Sequence, residues 1–174
     1  QRRIKVKNKK IYTFLMLFLL FIFCISTKSH ASNNEPSITS GSAILLENST
    51  SKVLFEKNIN EKLEPASITK IMTAILAIEN CNLDDVVTVP YEAISNIPSG
   101  YSVAPLQTDE QITVDQLLRV LMVHSANDAA NALAYHIDGS IPAFAERMNA
   151  KLNALGLKDS HFTNPSGQHD TNHY

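Results

Sequence analysis

The sequence predicts a mixed α/β domain. Two short runs of strand-forming residues, 42–47 (SAILLE) and 52–57 (KVLFEK), flank the polar stretch 48–51 and predict a hairpin. An almost wholly apolar run at 68–79 predicts a helix with no solvent face, and such helices are normally buried inside a domain. Helical patterns dominate after residue 112. The 174 residues are enough for one ordinary domain.

The first 31 residues have the order of a secretory signal. Six cations lie within the first ten residues, an apolar run covers 11–25, and a polar stretch ends in S-H-A at 29–31. The small residues predict cleavage after Ala31. An uncleaved membrane anchor is the alternative, although a bilayer takes about 20 helical residues. We expect residues 1–31 to be a signal peptide and residues 32–41 to be a flexible lead-in.

Charge and cysteine content exclude two classes of protein. Residues 1–31 hold seven cations and no acid, so the remaining 143 residues carry 8 cations and 17 anions, a net charge of −9. An acidic body lacks the basic face that a non-specific nucleic-acid binder needs. Two cysteines, Cys24 and Cys81, cannot build a disulfide scaffold.

The remaining elements follow from local signals. In order, we expect a strand at 85–89, a loop-rich segment at 91–110, helices at 113–123, 128–136 and 142–155, and a turn within 161–174. Thr113 has the side chain of an N-cap, and Gly156 is placed to end the last helix.

The motif Ser67-Ile68-Thr69-Lys70 lies at the start of the apolar helix. Residues three apart on a helix share a face, with Cβ atoms about 5–6 Å apart. A serine nucleophile needs a base, and a lysine can serve where burial lowers its pKa. We expect the apolar helix behind Lys70 to supply that burial. The helix N-terminus also suits a developing oxyanion. The pattern predicts Ser67 as nucleophile and Lys70 as base; the alternative is an N-cap with an exposed lysine.

A second polar cluster, Ser125-Ala126-Asn127-Asp128, lies between two predicted helices, 58 residues after Ser67. Ser125 can relay a proton between Lys70 and a leaving group, and Asn127 can offer its amide to a substrate backbone. The alternative is a helix cap, because a serine followed three residues later by an acid resembles a capping box.

Together the two motifs resemble those of the penicillin-recognising serine enzymes. Segments 65–74 (PASITKIMTA) and 124–131 (HSANDAAN) are similar to the D-alanyl-D-alanine carboxypeptidases, the low-molecular-mass penicillin-binding proteins of peptidase family S11. N-P-S-G at 164–167 and N-H-Y at 172–174 are similar to the family's next segment. The resemblance implies the β-lactamase/penicillin-binding (DD-peptidase) fold, an antiparallel sheet with helices on both faces plus a helical subdomain.

The resemblance also implies a function. Ser67 would attack the D-Ala-D-Ala end of a peptidoglycan stem peptide, Lys70 would take its proton, Ser125 would pass that proton on, and Asn127 would position the peptide. β-Lactam antibiotics would acylate Ser67, and neither a metal nor a cofactor is expected. The protein would act outside the cytoplasmic membrane in peptidoglycan biosynthesis and cell shape. Peripheral membrane association, known in relatives, would use a C-terminal segment beyond Tyr174.

One family motif, K-T-G, is missing from the sequence. The lysines after Ser125 are Lys151 and Lys158, and neither begins it. In relatives its lysine receives the substrate carboxylate, and C-terminal strands pair with the first two strands. We therefore expect residues 42–174 to be the N-terminal part of a catalytic domain. The chain would be an incomplete product, inactive alone, whose hairpin exposes an apolar face.

Three other interpretations compete with this one. A class A-like β-lactamase needs a glutamate in an E-x-x-L-N motif, but residue 149, before Leu152-Asn153, is asparagine. A non-catalytic cell-wall-binding or sensor module of the same fold should tolerate Ser67→Ala. A metal site at His169 and His173 has the i, i+4 spacing of paired ligands but no helical pattern to support it.

Overall fold

The computed structural model describes Phe14, Met16 and residues 36–174. The predicted signal peptide, apart from Phe14 and Met16, and residues 32–35 of the lead-in lie outside the described residues. Within the described part of the chain, none of the helices has the length and apolar content to cross a membrane. The chain divides into two compact units, Gln1–Phe55 and Glu56–Tyr174.

The described elements follow the predicted order. The strands are β1 (Ala43–Glu47), β2 (Lys52–Lys57), β3 (Val86–Thr88) and β4 (Gln111–Thr113), and the helices are α1 (Thr69–Asn80), α2 (Tyr91–Ser95), α3 (Val114–His124), α4 (Asn127–Asp138) and α5 (Ile141–Ala154). A 3-10 turn, Ala66–Ile68, leads into α1. The predicted strands and helices are confirmed, with ends shifted by one or two residues. The short elements α2 and β4 were not predicted.

β1 and β2 pair in a two-stranded sheet, as the sequence predicted. The Glu47 carboxylate fixes their turn, because it accepts the backbone N–H groups of Ser49 (3.0 Å) and Thr50 (2.8 Å). Large apolar side chains of both strands are 42% to 56% exposed: Ile44, Leu45, Leu46, Val53 and Leu54. The apolar surface expected of this hairpin is therefore present in the described chain.

Helix α4 is the centre of the second unit. Its residues from Asn127 to Ala134 are all buried, and it packs against α1, α2, α3 and α5. Half of the residues on this stretch are alanine, which allows neighbouring helices to approach closely. Larger residues from α3 and α5 fill the surrounding core: Leu117, Leu121, Phe144 and Met148.

Helix α1 is buried on one side only, which corrects the prediction that it has no solvent face. Ile71, Ile75 and Ile78 are 51%, 38% and 62% exposed, whereas Met72 and Leu76 are buried. The exposed isoleucines lie on one face because they are spaced by four and three residues. The physical reason is that α3, α4 and α5 pack against the opposite side of α1, and the described residues leave the isoleucine face uncovered.

The chain enters α3 through a short sheet. β3 and β4 are antiparallel, with Val86 opposite Thr113 and Thr88 opposite Gln111. Thr113 then caps α3, as predicted: its hydroxyl accepts the Gln116 N–H at 3.3 Å, and its own N–H donates to the Gln116 side chain at 3.0 Å. This capping box fixes the start of the helix whose other end carries Ser125.

Candidate active site

Three of the predicted residues meet at the start of α1. Lys70 Nζ donates to Ser67 Oγ at 3.1 Å, and Ser125 Oγ donates to the same oxygen at 3.0 Å. Ser67 lies in the 3-10 turn before α1, one turn away from Lys70. Ser67 is exposed and Lys70 is only 2% exposed. The site is thus an accessible hydroxyl with a buried amine beside it.

Burial makes Lys70 a usable base near neutral pH. Desolvation lowers the pKa of Lys70 from 10.5 to about 8, since burial penalises the ammonium form. At that pKa about a tenth of the side chain is neutral at pH 7. The amine also donates to the Ser166 carbonyl oxygen at 2.7 Å, which holds it in place. A neutral Lys70 at this distance can accept the Ser67 proton.

Ser125 reaches the site from a strained backbone position. It follows the last residue of α3 with φ 57° and ψ 35°, the left-handed region that few non-glycine residues occupy. Such a conformation costs about 1–3 kcal/mol and persists only where the surroundings enforce it. Here Ser102 braces the junction, because its hydroxyl donates to the His124 carbonyl at 2.6 Å and its carbonyl accepts the Asn127 N–H at 2.8 Å.

The capping alternatives for the two serines are wrong. The N-cap of α4 is Ala126, without a side-chain cap. Asp128 instead accepts the backbone N–H groups of Ala104 at 2.9 Å and Leu106 at 3.1 Å. Neither the 3-10 turn nor α1 has a side-chain N-cap bond, so Ser67 is not a cap either.

Asn127 is buried beside this cluster and does not hydrogen-bond to it. Its Nδ2 is the buried side-chain polar atom that lacks a hydrogen-bond partner among the described residues. Nearly all buried polar groups in proteins are paired, so an unpaired amide donor calls for an explanation. An acceptor for this amide is not supplied by the described residues, and a carbonyl oxygen from outside them would satisfy it.

The segment 164–167, which was predicted as a turn and resembles a segment of the family, forms one wall of the site. Asn164 Oδ1 accepts the N–H groups of Ser166 (3.2 Å) and Gly167 (2.8 Å), which curls the segment so that the Ser166 carbonyl points at Lys70. Gly167 has φ +79°, and an added Cβ would lie 1.8 Å from the Ala66 carbonyl oxygen. Only glycine fits this close approach. Main-chain contacts of this kind leave no local sequence signal.

His173 ties the end of the chain to the nucleophile helix. The Thr163 N–H donates to its Nδ1 at 3.1 Å, so the ring proton lies on Nε2, which donates to Thr69 Oγ1 at 2.7 Å. Burial lowers the pKa of His173 below its usual value. His169 pairs with Glu64 at 2.8 Å. Both histidines of the i, i+4 pair therefore have partners other than a shared metal.

An accessible serine flanked by a buried lysine and a second serine is an arrangement that acyl transfer by a serine nucleophile can use. The family model described as Peptidase_S11, D-alanyl-D-alanine carboxypeptidase, matches residues 29–174. The chain belongs to this family, which confirms the resemblance seen in the sequence.

Two curated relatives illustrate the similarity. D-alanyl-D-alanine carboxypeptidase DacF of Bacillus subtilis (strain 168) is 41% identical over 138 residues, covering 76% of this chain and 35% of the relative. D-alanyl-D-alanine carboxypeptidase DacD of Escherichia coli (strain K12) is 35% identical over 161 residues, covering 85% and 42%. The chain therefore spans well under half the length of these relatives.

Solved structures confirm the predicted fold. Penicillin binding protein 5 from Haemophilus influenzae matches with a TM-score of 0.74 at 34% identity, over 80% of this chain and 42% of that one. A mutant of the Streptomyces K15 DD-transpeptidase matches with a TM-score of 0.76 at 30% identity, over 80% and 57%. The described chain has the fold of part of a penicillin-binding DD-peptidase.

Proposed function

We propose that the complete protein is a serine-type D-Ala-D-Ala carboxypeptidase that removes the terminal D-alanine from peptidoglycan stem peptides. The observation that carries the proposal is the contact of Ser67 Oγ with both Lys70 Nζ (3.1 Å) and Ser125 Oγ (3.0 Å). The burial of Lys70 supports its assignment as the base. The names of the curated relatives support the choice of substrate.

In the acylation step, neutral Lys70 takes the Ser67 proton while Ser67 Oγ bonds to the carbonyl carbon of the penultimate D-alanine. The peptide C–N bond breaks, and Lys70 returns the proton through Ser125 to the departing D-alanine nitrogen. In the second step water attacks the ester, its proton passes by way of Lys70 to Ser67 Oγ, and the shortened peptide leaves. These steps use protein side chains and water alone.

Asn127 supplies the contact that orients the peptide. Its buried, unpaired Nδ2 supports this role, since a substrate backbone carbonyl would satisfy the donor. β-Lactams are the second ligand class. Ser67 would open the lactam ring, and the leaving nitrogen would stay tethered to the acyl group.

We propose that residues 1–31 export the protein to the extracellular or cell-wall side, where peptidoglycan lies and where the enzyme would act in wall synthesis and cell shape. Residues 42–174 would form the N-terminal part of its catalytic domain. The K-T-G segment and any C-terminal segment for peripheral membrane association would belong to the rest of the full-length protein. The net charge of −9 after residue 31 fits a body without nucleic-acid partners.

The test is the intact mass of the natural full-length form after exposure to benzylpenicillin, with Ser67→Ala as the matched variant. We expect one added penicillin on the wild type and none on Ser67→Ala. A peptide ending in D-Ala-D-Ala should release D-alanine, while the same peptide ending in L-Ala-L-Ala should not react. No adduct and no release would refute the proposal in favour of a non-catalytic module. An adduct on the full-length form but not on the 174-residue chain would support a site completed by the rest of the protein.

A further inference from the structure

A thiol, a carboxylate and an imidazole meet at the far end of α1 from Ser67. One potential ligand atom from each of Cys81, Asp85 and His136 lies within 4.8 Å of the other two. Cys81 directly follows α1, Asp85 directly precedes β3, and His136 lies in the last turn of α4. α1 has 12 residues, so the cluster is about 18 Å along the helix from the acyl-transfer site.

The donor set indicates which metal would bind. A thiolate, an imidazole and a carboxylate together suit Zn²⁺, whereas Ca²⁺ and Mg²⁺ take oxygen ligands. Tetrahedral zinc with bonds of about 2.0–2.3 Å places its ligand atoms about 3.3–3.7 Å apart. The three donor atoms lie within 4.8 Å of one another, so they need to close by at most about 1.5 Å, which rotation of the exposed His136 side chain can supply. Three protein ligands leave the fourth position for water.

The backbone around the cluster is held in place. Asp85 donates its N–H to the Asn82 carbonyl at 3.1 Å, and its own carbonyl accepts the Val114 N–H at 3.0 Å. Its carboxylate accepts the Asn82 N–H at 2.7 Å, which leaves lone pairs for a metal. Neither the Cys81 thiol nor the His136 ring hydrogen-bonds to another residue in the described part of the chain, so both are available as ligands.

The neighbouring cation does not compete for the site. Arg147 forms an ion pair with Asp138 at 2.6 Å and donates to the Asn80 side chain at 3.1 Å. The Arg147 guanidinium is therefore held by Asp138 and Asn80 and not by Asp85. The Asp85 carboxylate forms no salt bridge with another described residue.

We propose that Cys81, Asp85 and His136 form a zinc site that joins the ends of α1 and α4 to the segment before β3. The opposite ends of these two helices carry the nucleophile segment and Asn127. A metal bound there would link the two helices and stabilise the pair, and at about 18 Å along α1 from Ser67 it would take no part in acyl transfer.

Zinc titration of the natural full-length form against a chromophoric chelator tests this proposal. We expect one Zn²⁺ per chain and a rise in melting temperature on zinc addition. Cys81→Ser and His136→Gln should each weaken affinity at least about tenfold, because loss of an outer-shell partner alone typically costs 10–100-fold. With Co²⁺ as the probe, the thiolate charge-transfer absorption should be lost in Cys81→Ser.

The matched control is His169→Gln, the same substitution as His136→Gln at a histidine that pairs with Glu64 outside the cluster, and it should bind zinc like the wild type. Circular dichroism establishes that each variant is folded, and the penicillin mass assay should give one adduct on every variant. The proposal is overturned if the wild type binds no stoichiometric zinc, or if folded Cys81→Ser binds it as tightly as the wild type. Binding lost in His169→Gln instead would place the metal elsewhere and overturn it equally.

Discussion

Replacing Gly167 by alanine should damage both the fold and the acylation site. An added methyl group would lie 1.8 Å from the Ala66 carbonyl oxygen and 3.0 Å from Thr69 Oγ1. Non-bonded atoms normally rest about 3.5–4.0 Å apart, so the segment must retreat by about 2 Å. That retreat would carry the Ser166 carbonyl away from Lys70 Nζ, which now donates to it at 2.7 Å.

The expected cost has two parts. An alanine at φ +79° costs roughly 1–2 kcal/mol, because Cβ approaches the carbonyl oxygen of its own residue. Forcing a methyl group into packed structure adds about 1–3 kcal/mol. The free energy of unfolding should therefore fall by about 2–5 kcal/mol. A misplacement of about 1 Å in a catalytic site can cost about a hundredfold in rate, so penicillin acylation of Ser67 should slow by about that factor.

Gly156→Ala is the matched control. Gly156 has φ +76°, but no atom lies within 4 Å of an added Cβ there. The control should therefore show the conformational cost of about 1–2 kcal/mol alone, with an unchanged acylation rate. Urea denaturation and the rate of penicillin adduct formation, measured on the natural full-length form, give the two quantities. Equal effects of the two substitutions would refute the argument that the contact with Ala66 determines the position of the Lys70 acceptor.

Three further predictions concern titration and buried charge in the full-length form. The penicillin acylation rate should rise with pH through about 8, where Lys70 loses its proton, and Lys70→Arg should be acylated more slowly by a factor of about 10²–10⁴. An acylation rate that stays constant from about pH 6.5 to 9 would contradict this prediction. Because the pKa of His173 is lowered in the folded state, the unfolded state takes up the proton at a higher pH than the folded state does. The contribution of His173 to the free energy of unfolding is therefore fully present above about pH 6.5 and decreases at lower pH. The urea midpoint of the wild type should therefore fall between about pH 7.5 and 5 by more than that of His173→Gln, which lacks the titrating group. Midpoints of the two proteins that fall equally with pH would refute this prediction. Asp128→Asn should lower the free energy of unfolding by about 1–3 kcal/mol, because one amide oxygen cannot accept every N–H that the carboxylate accepts. A decrease below about 0.5 kcal/mol in urea denaturation would show that Asp128 does not anchor the Ala104 segment.

The parts of the site that the sequence predicts are those set by local geometry. The S-x-x-K spacing alone places Ser67 and Lys70 one helical turn apart, and the structure has their side chains 3.1 Å apart. Thr113 was predictable for the same reason, since a capping residue contacts only its own first turn. Ser125 is different. Its 3.0 Å contact with Ser67 spans 58 residues, so no local spacing contains it, and it was predicted from the family resemblance.

The wall formed by the end of the chain could not be predicted from residue types. The Ser166 group that contacts Lys70 is a backbone carbonyl, which every residue has. The role of His173 depends on two partners, Thr69 and Thr163, brought together only by the fold. Local composition predicts only a turn in this segment, and the resemblance to the family places the segment next in order without indicating its contacts.

The cause of the low Lys70 pKa also differs from the one that the sequence suggested. The prediction attributed the burial of Lys70 to the apolar helix behind it, yet the isoleucine face of that helix, from Ile71 to Ile78, is exposed. Lys70 lies on the other side, where its amine contacts the Ser166 carbonyl oxygen and where other helices pack against α1. The apolar sequence of a helix is therefore not enough to lower the pKa of a lysine on it, because the lysine must also be covered by the segments that pack against the helix. It follows that substitutions in the segment around Ser166, more than those on the exposed face of α1, should raise the pKa of Lys70 and slow acylation at neutral pH.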